Sequence, residues 1–227
     1  MRKQTKKTII IVLSAISLTI TGLLFTKAGL IRASNAIPPN NAITDADLWN
    51  KKSVDSAITL LQSGDLVVRS GKGTTSYMLM QMNQKDKTYS HCGIVVIENG
   101  YPFVYHSIGG EDNPDARVRR DSANYFFSPL NNFGFGIYRY DLEPENITKL
   151  ENVVRQYYRE KRKFDMDFDL KTDDKLYCAE FVYKAVNTAA ADSAYIGITH
   201  AFGYTFVGID DLFLNLHTHK IWEVKFK

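Results

Sequence analysis

The sequence contains two cysteines, and one of them, Cys178, lies in a stretch that suits a reactive thiol. The stretch reads KLYCAEFV over residues 175–182. A cysteine becomes a nucleophile when its thiolate is stabilised and a base, usually a histidine, stands within hydrogen-bonding reach. Attack on the carbonyl of an amide or ester is the chemistry that these residue types support. Half of a disulfide and an inert apolar side chain in the core are the alternatives for the same residue.

The position of Cys178 in a predicted helix bears on that choice. Apolar residues follow Cys178 at helical spacing through Ala190, and Asp173 or Asp174 is predicted to cap a helix that starts near Lys175. The first turn of a helix has free N–H groups and the positive end of the helix dipole, and both stabilise a thiolate. The same apolar spacing is typical of a cysteine packed in the core, so an inert role stays open.

Two histidines are predicted to lie near one edge of a β-hairpin. His91 starts the strand SHCGIVV and His106 ends the strand FVYHS, and a turn at Asn99-Gly100 pairs these strands in antiparallel fashion. In this arrangement one imidazole could take the proton of Cys178, while the other orients the first through its second ring nitrogen.

Cys92 makes the nucleophile and the disulfide competing predictions. Neighbouring residues on a strand point to opposite faces of a sheet. If His91 faces Cys178, then Cys92 faces away, and an unstrained disulfide between the two cysteines is hard to build. A body of about 190 residues also buries enough apolar surface to fold without a disulfide.

Other local patterns fail their spacing tests. SGKGTTS lacks the first glycine of a phosphate-binding loop, because Leu66 stands at that position. DMDFD resembles the start of a calcium loop but lacks the glycine and the glutamate that the loop requires. His217 and His219 have no third ligand nearby, so they predict no metal site. The sequence contains no Gly-x-Ser-x-Gly motif of a serine hydrolase.

Residues 1–36 are typical of a targeting segment. Four basic residues precede an uncharged apolar run over residues 8–25, which is just long enough to span a bilayer. Basic residues before such a run favour a body outside the cytoplasm. We therefore predict export, with residues 1–36 as a cleaved signal or a retained membrane anchor, residues 37–46 as a linker, and residues 47–227 as one domain.

The charge distribution gives no support for a nucleic-acid partner. Six of the 28 Lys and Arg residues lie in residues 1–36, which contain no acid, so the remainder holds 22 basic and 25 acidic residues. The overall charge of +3 therefore belongs to the targeting segment, and the body is mildly acidic.

Helical and strand-like segments occur together along the body. Short strands adjacent in sequence predict antiparallel pairing, and their mixture with helices predicts the α+β class. Further helices are predicted over 45–61, 76–83 and 147–161, the second of them capped by a Thr or Ser hydroxyl. The segment KFDMDFDL is predicted to be strand-like or extended, and HKIWEVKF to be the last strand. Residues 109–135 are predicted to be irregular.

The order of these segments resembles a known group of enzymes. SGDLVV, SHCGIVV and FVYHS are similar to three consecutive segments of the NlpC-type cell-wall peptidases, which have a papain-like fold and carry a DCSGFV nucleophile helix before these strands. Here YCAEFV follows the strands, which is the order of the circularly permuted YiiX/YebB-like cysteine hydrolases, a branch related to the lecithin retinol acyltransferase group. FDMDFDLKTDDKLYCAEFVYKA and FVGIDDLF are also similar to that branch. The resemblance covers residues 47–227. It implies a permuted papain-like fold with an antiparallel sheet or small barrel packed against the nucleophile helix.

The resemblance also implies roles for individual residues. Cys178 would be the nucleophile, His91 the general base and then the general acid, and His106 the residue that orients His91. Glu180 matches the acid in the Cys-Ser-Glu of the branch, with Ala179 in place of serine. Glu180 is expected to support the site through a buried ion pair or a loop anchor rather than by proton transfer.

The expected reaction is amide hydrolysis through an acyl-enzyme. The oxyanion is expected beside the backbone N–H of Cys178, with Tyr177 or Tyr89 as the second donor. No cofactor and no metal are expected. The expected substrate is a peptidoglycan stem peptide or an N-acyl, lipid-like amide. An acyltransferase of the same fold remains an alternative, as does a non-catalytic exported module that binds cell-wall or lipid groups, with Cys92 and Cys178 bridged or inert.

Overall fold

The computed structural model describes residues 43–110, 116–201 and 203–227. Thr44–Lys227 forms one compact unit. The predicted targeting segment over 1–36 and residues 37–42 of the predicted linker lie outside the described residues. Asp45 and Ala46, the last two residues of that linker, belong to the first helix. In the described ranges, no helix is both long enough and apolar enough to cross a bilayer.

An antiparallel sheet forms the centre of the fold. The strands in the described residues are β1 (Leu66–Gly71), β2 (His91–Glu98), β3 (Tyr101–Ser107), β4 (Val118–Ser122), β5 (Asn132–Tyr140), β6 (Thr199–Ala201), β7 (Tyr204–Phe206) and β8 (Thr218–Lys225). Six of them pair in the order β4-β3-β2-β1-β5-β8, and β6 and β7 form a separate two-stranded ribbon. Because β4 and β8 stand at opposite edges and do not pair, the sheet is open. The predicted antiparallel sheet is confirmed, and the alternative of a small barrel is wrong.

The predicted hairpin joins β2 and β3. Asn99 and Gly100 have φ angles of 51° and 82°. Two successive residues with positive φ match the turn geometry that suits the right-handed twist of paired strands. Glu98 pairs with Tyr101 directly across this turn. This prediction from the Asn-Gly dipeptide is therefore confirmed.

Helices cover the sheet. They are α1 (Asp45–Ile58), α2 (Thr74–Met82), α3 (Ala123–Phe126), α4 (Pro144–Arg159), α5 (Cys178–Ala190) and α6 (Ile209–Phe213). The predicted helix over 147–161 is α4, whose buried stripe consists of Leu150, Val154 and Tyr157. Helix α5 packs against α4 and lies over β2 and β3. The α+β class is confirmed.

The alternation of side chains divides the core into two layers, one on each face of the sheet. Leu66 and Val68 of β1 pack in one buried cluster with Phe181 of α5. Val67 points to the other face and packs with Val54 of α1 and with the short helix α3. The candidate site residues on β2 and β3 divide between the two layers in the same way.

The segment KFDMDFDL forms a loop, so the prediction of a strand-like or extended segment is wrong. The carboxylate of Asp165 accepts hydrogen bonds from the backbone N–H groups of Asp167 and Asp169, at 2.9 and 2.7 Å. Such local bonds replace the strand pairing that the alternating sequence suggested. Phe164 packs against the core, whereas Met166, on the same predicted face, is 70% exposed.

The start of α5 also differs from the prediction. The helix begins at Cys178 with Tyr177 as its N-cap residue, rather than near Lys175 with Asp173 or Asp174 as the cap. Asp173 instead accepts a hydrogen bond from Lys184 in the second turn of α5, at 2.7 Å. Because the helix starts later than predicted, Cys178 is its first residue.

Two other local predictions are wrong. Residues 109–135 were expected to be irregular but contain β4 and α3. Strand β4 forms through pairing with β3, with Ser107 opposite Val118, and local periodicity carries no signal of such long-range pairing. Helix α2 begins after Gly73, which makes no side-chain capping bond, rather than after a Thr or Ser hydroxyl.

Candidate active site

Cys178 is the first residue of α5, and its sulfur is surrounded by hydrogen-bond donors. The thiol of Cys92 donates to it, and the backbone N–H groups of Ala179, Cys178 and Cys92 also point to it. These donors lower the pKa of the Cys178 thiol, the Cys92 thiol most strongly, although burial acts in the opposite direction. A sulfur that lies at the start of a helix and accepts hydrogen bonds from N–H groups is stabilised as a thiolate. The side chain is only 6% exposed.

Cys92 faces Cys178, contrary to the expectation that Cys92 faces away. Cys92 and Ile94 of β2 point to the layer of α5, and both cysteines belong to the same buried cluster. Burial and the neighbouring Cys178 raise the pKa of the Cys92 thiol well above its usual value. Both cysteines are free thiols. Strand alternation requires only that neighbouring residues face opposite ways, and the packing of α5 decides that Cys92 is the one beside Cys178.

His91 and His106 lie in direct contact on the other face of the sheet. Nε2 of His91 is 2.8 Å from Nδ1 of His106, and the ring of His91 lies 5.7 Å from the ring of Phe126. Burial lowers the pKa of both imidazoles, most strongly that of His91, whose pKa the positive charge of Arg69 on β1 lowers further. The hairpin thus brings the two imidazoles together on one face, as predicted, whereas the orientation of His91 by His106 for catalysis stays a prediction.

Asp121 and Arg119 extend the histidine pair, and neither was predicted from the sequence. Nε2 of His106 is 3.0 Å from Oδ2 of Asp121, and Arg119 donates to Oδ1 of the same carboxylate at 2.9 Å. The result is a chain of polar groups from His91 through His106 and Asp121 to Arg119. Despite partial burial, the hydrogen bonds from His106 and Arg119 lower the pKa of Asp121. Asp121, the one acid in VRRDS, was not predicted as a site residue, because the segment was not recognised as a strand paired with β3.

The nucleophile candidate and the histidine pair do not share a hydrogen bond. Among the described residues, the donors to the sulfur of Cys178 come from Cys92 and the start of α5, and His91 bonds to His106. His91 nevertheless directly precedes Cys92 on β2, and Nδ1 of His91 is the ring nitrogen that His106 does not engage. The structure thus brings the predicted residues to one end of β2 but directs Cys178 and His91 to different faces.

Glu180 lies in the first turn of α5 and holds that turn in place. Its carboxylate accepts a hydrogen bond from the backbone N–H of Tyr177 at 3.1 Å and stands 3.0 Å from the amine of Lys184. The carboxylate is fully buried, and burial outweighs the Lys184 contact, raising the pKa of Glu180 to about 7. The expected buried ion pair is therefore present, together with a helix cap.

The two tyrosines proposed as oxyanion donors make other contacts. The hydroxyl oxygen of Tyr177 accepts a hydrogen bond from the backbone N–H of Val207 at 2.8 Å, which anchors the segment before α6. Tyr89 packs edge-on against Tyr138 and Phe213, with ring centroids 6.3 and 5.6 Å apart. None of these contacts brings either hydroxyl to Cys178.

Comparison with known proteins identifies one group of relatives. No family model matches the chain. Over 130 residues the chain is 25% identical to the uncharacterized protein YiiX of Escherichia coli strain K12, which covers 56% of this chain and 58% of YiiX. This match therefore spans less than two thirds of the relative. The crystal structure of metalloprotein yiiX (DUF1105) from Escherichia coli O157:H7 is similar in fold, with a TM-score of 0.58 and 18% identity, over 72% of this chain and 98% of that one. The chain is YiiX-like in sequence and fold.

Proposed function

We propose that the chain is an exported cysteine amidohydrolase in which Cys178 forms an acyl-enzyme. The observation that carries the proposal is the position of Cys178 at the first residue of α5, where N–H groups and the Cys92 thiol lower its pKa. The resemblance of the sequence to permuted papain-like hydrolases supports the same reaction. Export is proposed from the sequence of residues 1–36, which would also provide the contact with a membrane.

In the proposed mechanism, the thiolate of Cys178 attacks the carbonyl carbon of an amide. The negative charge that develops on the oxygen is stabilised by the N–H groups at the start of α5. Nδ1 of His91 takes the thiol proton and returns it to the leaving amine, after which water releases the acid. His106 positions His91 through the bond to Nε2, and Asp121 in turn orients His106. A balanced cycle therefore needs no group beyond these side chains and water.

This mechanism requires a change at the end of β2. Cys178 must exchange its contact with the Cys92 thiol for one with the imidazole of His91. Because His91 lies on the other face of the sheet, the proposed movement is a local change of the β2 backbone at His91 and Cys92 together with rotation of the Cys178 and His91 side chains. Catalytic hydrogen bonds are often long or poorly aligned in the absence of substrate and form fully only when it is bound.

The proposed substrate is a peptidoglycan stem peptide or an N-acyl, lipid-like amide. These classes come from the resemblance to cell-wall peptidases and to the acyltransferase group. The mildly acidic body provides no reason to propose a nucleic-acid substrate.

A metal centre is not part of the proposal, although the related crystal structure is that of a metalloprotein. In the described ranges, no three His, Cys, Asp or Glu side chains are grouped so that they could hold a metal ion. His91 and His106 use one nitrogen each to contact the other, and the second nitrogen of His106 contacts Asp121. The residues described therefore do not fit a metal site, and no step is assigned to one.

A non-catalytic exported module that binds cell-wall or lipid groups is the second candidate. The contact between the Cys92 and Cys178 thiols favours it, because the same contact suits a pair that is inert or becomes bridged. An acyltransferase would share the acyl-enzyme of the first proposal and differ only in the acceptor.

The deciding experiment incubates the wild type, Cys178→Ala and Cys92→Ala with muropeptides and with N-acyl amides, followed by mass spectrometry. We expect the wild type and Cys92→Ala to cleave one class and Cys178→Ala to cleave neither. A parallel reaction with added amine or alcohol detects acyl transfer. Equal product from Cys178→Ala and the wild type would exclude Cys178 as the nucleophile. If the wild type cleaves neither class, these substrate classes are wrong. A non-reduced intact mass lower by two hydrogen atoms would support the bridged module.

A further inference from the structure

A cavity lined by arginine and tyrosine side chains lies between α4 and the strands β3 and β4. Its volume is about 400 Å³, and its lining residues are Tyr105, Arg120, Arg155, Tyr158 and Arg159. This size is within the range of small-molecule sites. Among the described residues, the hydrogen-bonded chain from His91 to Arg119 includes none of these five, and none of them donates to the sulfur of Cys178. The cavity is therefore a feature separate from the candidate active site.

Glu98 is the single carboxylate that holds two of the arginines. Nε of Arg120 donates to its Oε2 at 3.0 Å, and a terminal nitrogen of Arg155 donates to its Oε1 at 2.7 Å. The hydroxyl of Tyr105 also donates to Oε1, at 2.6 Å. Glu98 thus fixes the two guanidinium groups at the cavity wall, while each keeps further N–H groups that Glu98 does not engage.

Arg159 adds a third positive charge that Glu98 does not neutralise. Within the part of the chain that the structure describes, the exposed Arg159 makes no hydrogen bond and no close ion pair, and its charge acts on the carboxylate of the adjacent Glu160. The three guanidinium groups outnumber the carboxylate of Glu98, so the side chains at the cavity wall carry a positive excess. Tyr158, whose side chain lines the cavity and which is 41% exposed as a residue, provides a hydroxyl as another potential donor.

We propose that this cavity binds a phosphate group carried by a small molecule or a lipid. The guanidinium groups come from β4 and from two successive turns of α4, so their donors approach from several directions. A tetrahedral dianion presents acceptor oxygens in more directions than a planar carboxylate, so it can accept from all of them. The two tyrosine rings, edge-on at 5.6 Å in the Tyr105–Tyr158 pair, would border the organic part of the ligand.

The test measures binding of inorganic phosphate to the full chain by calorimetry at constant ionic strength. We expect saturable binding that weakens about tenfold in Arg159→Gln, because one charge-assisted donor is lost. Lys149→Gln is the matched control, since Lys149 is an exposed cation of the same helix that pairs with Glu145 outside the cavity. Equal affinities of the two variants, or the absence of saturable binding, would overturn the proposal.

A second variant and a second probe make the result specific. Glu98→Gln removes the competing carboxylate and, in protein that retains its thermal transition, is expected to tighten phosphate binding severalfold. Weaker phosphate binding by folded Glu98→Gln protein would contradict the proposal. Vesicles of phosphatidylcholine with and without phosphatidylglycerol, and a soluble phosphate monoester, identify the source of the group. Binding to anionic vesicles that Arg159→Gln abolishes indicates a lipid headgroup, whereas binding confined to the monoester indicates a soluble ligand.

Discussion

The thiol of Cys92 lies against Cys178 and donates a hydrogen bond to its sulfur. This contact gives the two cysteines opposite chemical properties, because the pKa of Cys178 is lowered and that of Cys92 is raised. Cys92 therefore lies beside Cys178, where the sequence had predicted His91. The reactivity of the two thiols is therefore the first property to measure.

Cys178 is expected to react faster than Cys92 with a small thiol-reactive probe near neutral pH. The lowered pKa of Cys178 gives a larger thiolate fraction at that pH, and the raised pKa of Cys92 leaves almost none. We expect a rate ratio of about tenfold or more, measured by peptide mapping over a pH series. Cys92→Ala is expected to shift the labelling profile of Cys178 to higher pH. Equal, slow labelling of both thiols would contradict the lowered pKa of Cys178.

The same assay tests the role proposed for His91. In His91→Ala, loss of the labelling advantage of Cys178 would support the dyad, because the base that removes the thiol proton is gone. An unchanged profile would show that the donors at the start of α5 and Cys92 account for the reactivity without His91.

The buried histidine pair is expected to make the protein less stable as the pH falls. Burial lowers the pKa of His106 in the folded state. From about pH 6.5 downward the unfolded chain therefore binds more protons than the folded one, so the free energy of unfolding decreases. His106→Gln should flatten this decrease, by at most about 1.4 kcal/mol per pH unit, in urea unfolding at several pH values. His219→Gln, at a 54% exposed imidazole, is the control. Equal slopes in both variants would refute the assignment.

Glu180 is expected to produce the opposite slope. Its pKa is raised to about 7 in the folded state, against an ordinary value of 4.5. Between these values the folded state binds more protons, so the free energy of unfolding decreases as the pH rises, by up to about 1.4 kcal/mol per pH unit. Glu180→Gln keeps an acceptor for the N–H of Tyr177 and should remove this dependence. Urea unfolding measures this pH dependence, and Glu145→Gln, at an 81% exposed side chain, is the control. An unaltered slope in Glu180→Gln would exclude a raised pKa.

Tyr177→Phe is expected to lower the free energy of unfolding by about 1–2 kcal/mol, because the buried N–H of Val207 loses its acceptor. Thermal or chemical denaturation measures the loss, and Tyr101→Phe, at a 70% exposed ring, should have no effect. Unchanged stability together with slower amide cleavage would instead assign the Tyr177 hydroxyl to the oxyanion.

Much of the local structure was predictable because it depends on nearby residues. The Asn99-Gly100 turn and its hairpin follow from backbone preferences, and α4 follows from its apolar stripe. The placement of Cys178 in the first turn of a helix also came from sequence. Strand β4 was not predictable from the sequence, because it forms only by pairing with β3. Asp121, which completes the polar chain behind His106, was missed for the same reason.

The sequence by itself determined the candidate residues, the α+β class and the order of the segments that carry Cys178, His91 and His106. Strand alternation also dictated that His91 and Cys92 face opposite ways. Only the tertiary structure decided which of them meets Cys178, because that depends on the face of the sheet that α5 covers. That face is chosen by the packing of α5 against α4 and the sheet, and it holds Cys92.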